Sequence, residues 1–132
     1  MAGKEGGDDL EAGLAVCTIV AAKDVSRAEI LADSFRTVYP DRPFYVLVID
    51  SDFPLVAEPI RQLALRDLPM KLERLHLMAL IYNVTEFATA LKPQLLLALL
   101  ERHDMVVYLD PDTRLYAPMD ELSYLRADAD VL

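Results

Sequence analysis

LAVCTIVAAKDVSRAEILADSFRTVYPDRPFYVLVID, residues 14–50, is the stretch on which the reading of the fold turns. Its opening, LAVCTIVAA, is short, continuous and β-branched. That pattern fits a strand buried on both faces, as in a parallel sheet. Ser26 followed by Glu29 has the spacing of a capping box. Ile30, Leu31, Ser34, Phe35 and Val38 then fall on one helical face. Pro40 and Pro43 stop that helix, and FYVLVID, residues 44–50, reads as a second buried strand. Strand, helix, strand with short connections is nearly always a right-handed parallel unit.

Outward from this unit, residues 1–13 are acidic and Gly-rich and read as a flexible lead-in. Residues 51–70 are irregular, with Pro54, Pro59 and Pro69. A helical region over residues 72–102 is expected to break near residues 83–85 and again at Pro93, which suits a first helical turn. MVVYLD, residues 105–110, predicts a third strand, followed by the turn PDTRLYAP. Residues 120–125 suit a short helix, and Val131 and Leu132 the start of another strand. The alternation predicts an α/β fold, an open, mostly parallel Rossmann-like sheet flanked by helices. It divides the chain into a tail, 1–13, and an α/β domain, 14–132. Ligands of such sheets bind beyond the carboxyl ends of the strands. The places to look are therefore residues 21–24, 50–52 and 110–113.

Composition narrows the function. The 132 residues carry 13 Lys and Arg against 22 Asp and Glu, a formal charge of −9. Nucleic-acid binding through a basic face is not expected. An anionic substrate needs local help from a metal ion or from individual basic residues. The single cysteine, Cys17, excludes an intrachain disulfide and a cluster of paired zinc cysteines, and reads as a small buried hydrophobe. No apolar run approaches the ~20 residues of a membrane span, and the N-terminus lacks a signal-peptide pattern. A cytoplasmic setting is expected.

The strongest chemical signal is VVYLDPDTRLY, residues 106–116. Asp110 and Asp112 leave a buried strand with Pro111 between them, and proline holds Asp110 extended. Two carboxylates at this spacing can converge on one hard cation, for which oxygen ligands suit Mg²⁺ or Mn²⁺ rather than zinc. The same residues also make an ordinary acidic turn, and on residue type alone the two readings stay open. Asp50 and Asp52 end the second strand, where an acidic group often accepts hydrogen bonds from a ribose; for Asp52 a solvated loop is the simpler reading. The first strand end carries neither a Gly-x-Gly-x-x-Gly turn nor a P-loop. Lys92, placed at a helix start before Pro93, can reach phosphate oxygens or stand in solvent. His76 and His103 lack partners at ligand spacing and read as structural, with His103 at a helix end that favours its charged form. Tyr45, Tyr82, Tyr108 and Tyr116 read as core or rim packing.

Taken together, CTIVAAKDVSRAEILADSF, FYVLVID, VTEFATALKPQLL and VVYLDPDTRLYAPMDEL resemble the nucleotide-binding half of bacterial GT-A glycosyltransferases, in the nucleotide-diphospho-sugar transferase superfamily. The resemblance covers residues 14–132. It implies that Thr18, Val20, Ala21 and Ala22 lie near the nucleotide and Asp50 near its base or ribose. It also implies Lys92 near the diphosphate, and Asp110 and Asp112 on a divalent Mn²⁺ or Mg²⁺ that bridges the phosphates. The partner implied is a UDP- or GDP-sugar, and no catalytic residue is assigned. Lys23 departs from the small polar residue expected there and reads as a phosphate contact or a solvated lysine. The family continues where this chain ends. The resemblance therefore implies a domain incomplete at the C-terminus, without the acceptor-binding half or the later metal-ligating His, and self-association or pairing with such a half.

Two other readings stand beside it. Hydrophobic strand then Asp-x-Asp is also the first motif of haloacid-dehalogenase-like phosphotransferases, in which the first Asp is a nucleophile. Against this, Thr113 directly follows the second Asp, and the motif lies late in the chain. A non-catalytic α/β interaction module is the third reading, since a truncated sheet leaves edge groups and apolar surface exposed.

Overall fold

The computed structural model describes residues 13–119. Expectations for residues 1–12, 120–125 and 131–132 lie outside the described residues. The core is a four-stranded sheet of order β3-β2-β1-β4. Its strands are β1 (Leu14–Val20), β2 (Phe44–Val48), β3 (Arg61–Leu63) and β4 (Met105–Tyr108). All pairings are parallel: Val16 to Val20 align with Phe44 to Val48, Leu14 to Cys17 with Met105 to Tyr108, and Tyr45 to Leu47 with Arg61 to Leu63. The expected α/β class and parallel sheet are therefore present.

Every residue of β1 and β2 is buried. Their alternate side chains feed separate cores, which requires helices on both faces. Leu14, Val16, Val20, Val46 and Val48 meet α1 (Val25–Val38). Ala15, Cys17, Ile19, Tyr45 and Leu47 meet α2 (Leu72–Ile81) and α3 (Val84–Leu100). In α1 the buried stripe is Val25, Ala28, Leu31, Ala32 and Phe35. Two alanines let the helix lie close to the sheet, and Phe35 packs its ring 5.9 Å from that of Phe44. In α3 the stripe is Phe87, Leu91, Leu95 and Leu99, one residue per turn. Cys17 is buried as expected, and burial pushes its thiol up to about 12. No helix among the described residues is long and apolar enough to cross a membrane.

Several local expectations need correction. The Ser26–Glu29 capping box does not form: a 3₁₀ turn over Ala22–Asp24 runs directly into α1, whose N-cap is Asp24 without a side-chain cap bond. Ile30 is half exposed, because the buried face is centred on the alanines rather than on Ile30. Pro93 does not start a helix. It lies inside α3, which begins instead at an Asn83–Glu86 capping box with bonds of 2.8 and 3.0 Å. The unbroken leucine stripe carries the helix past the proline. Residues 51–70 also contain β3, a three-residue edge strand not foreseen. His103 does follow α3, but burial and then Arg42, Arg61 and Arg102 lower its pKa, so the neutral form is favoured. The Tyr45 hydroxyl joins Arg61 Nη1 at 3.2 Å and His103 Nε2 at 2.8 Å. This relay closes the amino-terminal end of the sheet, and the histidine serves structure as expected.

Candidate functional site

After β1 the chain builds β2 and β3 on one side, then crosses to place β4 on the other. The strand order thus reverses between β1 and β4, and open α/β sheets form a crevice at the carboxyl end of such a switch point. A cleft of about 190 Å³ opens there. Ile19, Val20 and Ala21 from the end of β1 form its floor, with Tyr108, Asp110 and Pro111 from β4 and its turn. Asp24 and Arg27 come from the start of α1, and Thr85, Ala88, Thr89 and Lys92 from one face of α3.

The acidic motif is a turn and is also part of the cleft. Thr113 N donates to the Asp110 carbonyl at 2.9 Å, so Asp110 to Thr113 close a β-turn with proline in its favoured second position. Arg114 clamps this turn through Nη1 to the carbonyls of Pro111 at 3.2 Å and Thr113 at 2.8 Å. Beyond it the chain is tied back to α1. Leu115 N donates to Ser34 Oγ at 3.0 Å, and Met119 N to the Tyr39 hydroxyl at 2.7 Å. The Asp-Pro-Asp turn is therefore held from both sides.

Its two carboxylates each face a cation from a different helix. Lys92 Nζ lies 3.9 Å from Asp110 Oδ1 and 4.5 Å above the centre of the Tyr108 ring. Arg27 Nη1 lies 3.5 Å from Asp112 Oδ1. Burial, and then the Asp110 carboxylate, push the Tyr108 phenol up to about 12, so it stays neutral beside the lysine. Both aspartates are largely exposed, at 72% and 81% of their side-chain surface. As a donor set, two accessible carboxylates suit Mg²⁺ or Mn²⁺, which take one or two carboxylates and fill their remaining positions with phosphate oxygens and water.

The other expected residues divide. Val20, Ala21, Lys92 and Asp110 line the cleft. Asp112 stands at its edge through Arg27. Ala22 and Asp50 meet each other: Ala22 N donates to Asp50 Oδ1 at 2.8 Å, which fastens the end of β1 to the end of β2. Thr18 is fully buried within β1 and its hydroxyl has no partner at hydrogen-bonding geometry among the described residues, with the Tyr108 phenol its near neighbour. Lys23 pairs with Asp24 at 3.0 Å, and Asp52 with Arg66 at 2.9 Å. Neither Lys23 nor Asp52 lines the cleft.

Arg27, Thr85 and Thr89 are cleft residues outside the strand ends singled out from the sequence, whereas Asp24 falls within residues 21–24. Thr85, Ala88, Thr89 and Lys92 repeat at one-turn spacing on the face of α3 beside its leucines. A polar stripe that ends on the lysine was the available signal for the threonines. Arg27 had a weaker one, its place in the first turn of the helix that follows the first strand.

The architecture defined by these elements is an open parallel α/β sheet with a polar cleft at its switch point. No family model matches the chain, and no curated protein or solved structure matches it.

Proposed function

We propose that this cleft binds the diphosphate of a sugar nucleotide together with a divalent cation, as the donor site of a GT-A-type glycosyltransferase. The observation that carries the reading is the convergence of Asp110, Lys92 and the end of β1 on one cleft at the sheet's switch point. In this reading Asp110 and Asp112 hold Mn²⁺ or Mg²⁺. Lys92 contacts the diphosphate, and the ends of β1 and β2 receive the nucleoside. The cation supplies charge stabilisation to the departing nucleoside diphosphate. Lys92, held over an aromatic ring and reached from mid-helix, adds a fixed positive charge at the same place. The nearby Tyr108 phenol can donate a hydrogen bond there without becoming an anion.

Titration calorimetry with UDP- and GDP-sugars, with and without Mn²⁺, tests this reading. Metal-dependent binding to the wild type and its loss in Asp112→Ala are expected. Binding indifferent to both metal and substitution counts against it, and turnover of an aryl phosphate would favour the phosphotransferase reading instead.

A second reading, the interaction module, has its own observation. Only Leu75 of α2 is buried, while Leu77, Leu80 and Ile81 are 55%, 84% and 67% exposed. Large exposed apolar side chains grouped on one helix are the kind of surface that marks contact faces. Light scattering that shows a stable monomer with no ligand would weaken both this reading and the donor-site reading.

A further inference from the structure

Asp110 and Asp112 are each already opposed by a cation. Lys92 comes from the middle of α3 and Arg27 from the first turn of α1, helices on opposite faces of the sheet. We propose that Arg27 is a diphosphate-binding residue kept in place by Asp112, so that the cleft accepts a divalent cation and a diphosphate together and neither well alone. The inference rests on the proposed function and assigns within it a residue and a mutual dependence of the two ligands.

Charge pairing carries the argument. In the absence of ligand, two carboxylates and two cations cancel. A divalent cation arriving alone would occupy the carboxylates and leave Arg27 and Lys92 beside it, unpaired and repelled. A diphosphate arriving alone would take the two cations and leave the carboxylates against its own negative charge. Arrival of both lets every charge find a new opposite: carboxylates on the cation, Arg27 and Lys92 on the phosphates. The exchange is cheap, because ion pairs this exposed and this long contribute only about 0–1 kcal/mol each. Arg27 suits the second role better than the first. Its planar fork matches pairs of phosphate oxygens, yet among the described residues it makes a single hydrogen bond, at 3.5 Å, with Asp112. Lys23, closer in sequence to the end of β1, is not its equivalent. It pairs with Asp24, is 76% exposed and does not line the cleft, whereas Arg27 does.

The test is calorimetric titration of Mn²⁺ alone and of UDP or GDP in the presence of Mn²⁺, into wild type, Arg27→Met and Lys23→Met. Arg27→Met is expected to bind Mn²⁺ alone a fewfold more tightly, because a repelling neighbour is gone. It is expected to bind the nucleotide with Mn²⁺ roughly tenfold more weakly, the loss of about one charge-assisted contact. Lys23→Met should match wild type in both. A residue with a merely structural role does not move the two affinities in opposite directions. Wild-type binding with Arg27→Met unchanged, or shifted in one direction for both ligands, overturns this inference and leaves the proposed function standing. No binding of nucleotide with Mn²⁺ by the wild type overturns both.

Discussion

A histidine just past the carboxyl end of a helix normally holds its proton more firmly, because the last carbonyls carry partial negative charge. His103 does the reverse, since partial burial and three arginines, Arg42, Arg61 and Arg102, outweigh that end and the Asp104 carboxylate. The Tyr45 hydroxyl fits the neutral ring. Arg61 can only donate to its oxygen, so its own proton is free for His103 Nε2. A histidine pKa lowered in the folded state means that the unfolded chain binds more protons between the folded value and the ordinary 6.5. The stabilisation is therefore fully present above 6.5 and is lost as pH falls through that value toward the folded pKa. Melting temperature should drop on acidification below 6.5, and His103→Gln, which keeps an acceptor for Tyr45, should lose part of that slope. Parallel profiles for wild type and variant between pH 7 and 5 would show that the proton is not coupled to folding here.

Pro93 sets the problem at the scale of an element. Inside α3 it lacks the N–H that would bond the Thr89 carbonyl, and its ring crowds the preceding turn. Pro93→Ala restores that bond and should raise the unfolding free energy by about 1–3 kcal/mol in urea denaturation. An unchanged or lower midpoint would mean that the helix is built around the proline. Lys-Pro in sequence suits either a helix start or a tolerated interior break. Only the leucine stripe from Phe87 to Leu99, packed on the sheet, decides between them. The same division runs through the whole chain. β1, β2 and the carboxyl end of α1 are legible, because apolar runs and prolines act locally. The three residues of β3 were not, because their strand state comes from pairing with β2 rather than from their own pattern. Ile30 was misplaced because Ala28 and Ala32, small enough to hide in a helical wheel, form the face that lies closest to the sheet. In the cleft, Asp110 and Lys92 could be read from their motifs. Thr89 and Arg27 carry weaker signals, a polar stripe ending on the lysine and a place in a first helical turn, and only the fold brings α1, α3 and the end of β4 together.

At the scale of the whole molecule, the cleft joins segments far apart in the chain: the end of β1, the start of α1, one face of α3 and the turn after β4. Among the described residues β4 is an edge strand of the sheet, paired with β1, and all of its residues are half-buried. A ligand that grips the turn after β4 and the end of β1 at once would therefore hold one edge of the sheet against its centre. Any ligand bound only by the folded state adds stability by mass action, about 2.7 kcal/mol at a hundredfold excess over its dissociation constant. For a domain of this size that is a rise in melting temperature on the order of 10 °C. Thermal unfolding should show this rise with nucleotide and Mn²⁺ together, and much less with either alone. Asp110→Asn should remove it, because the substitution discharges the proposed cation ligand, which is also the partner of Lys92. A rise of equal size with Mn²⁺ absent, or retained in Asp110→Asn, would place the ligand elsewhere on the sheet and detach the Asp-Pro-Asp turn from binding.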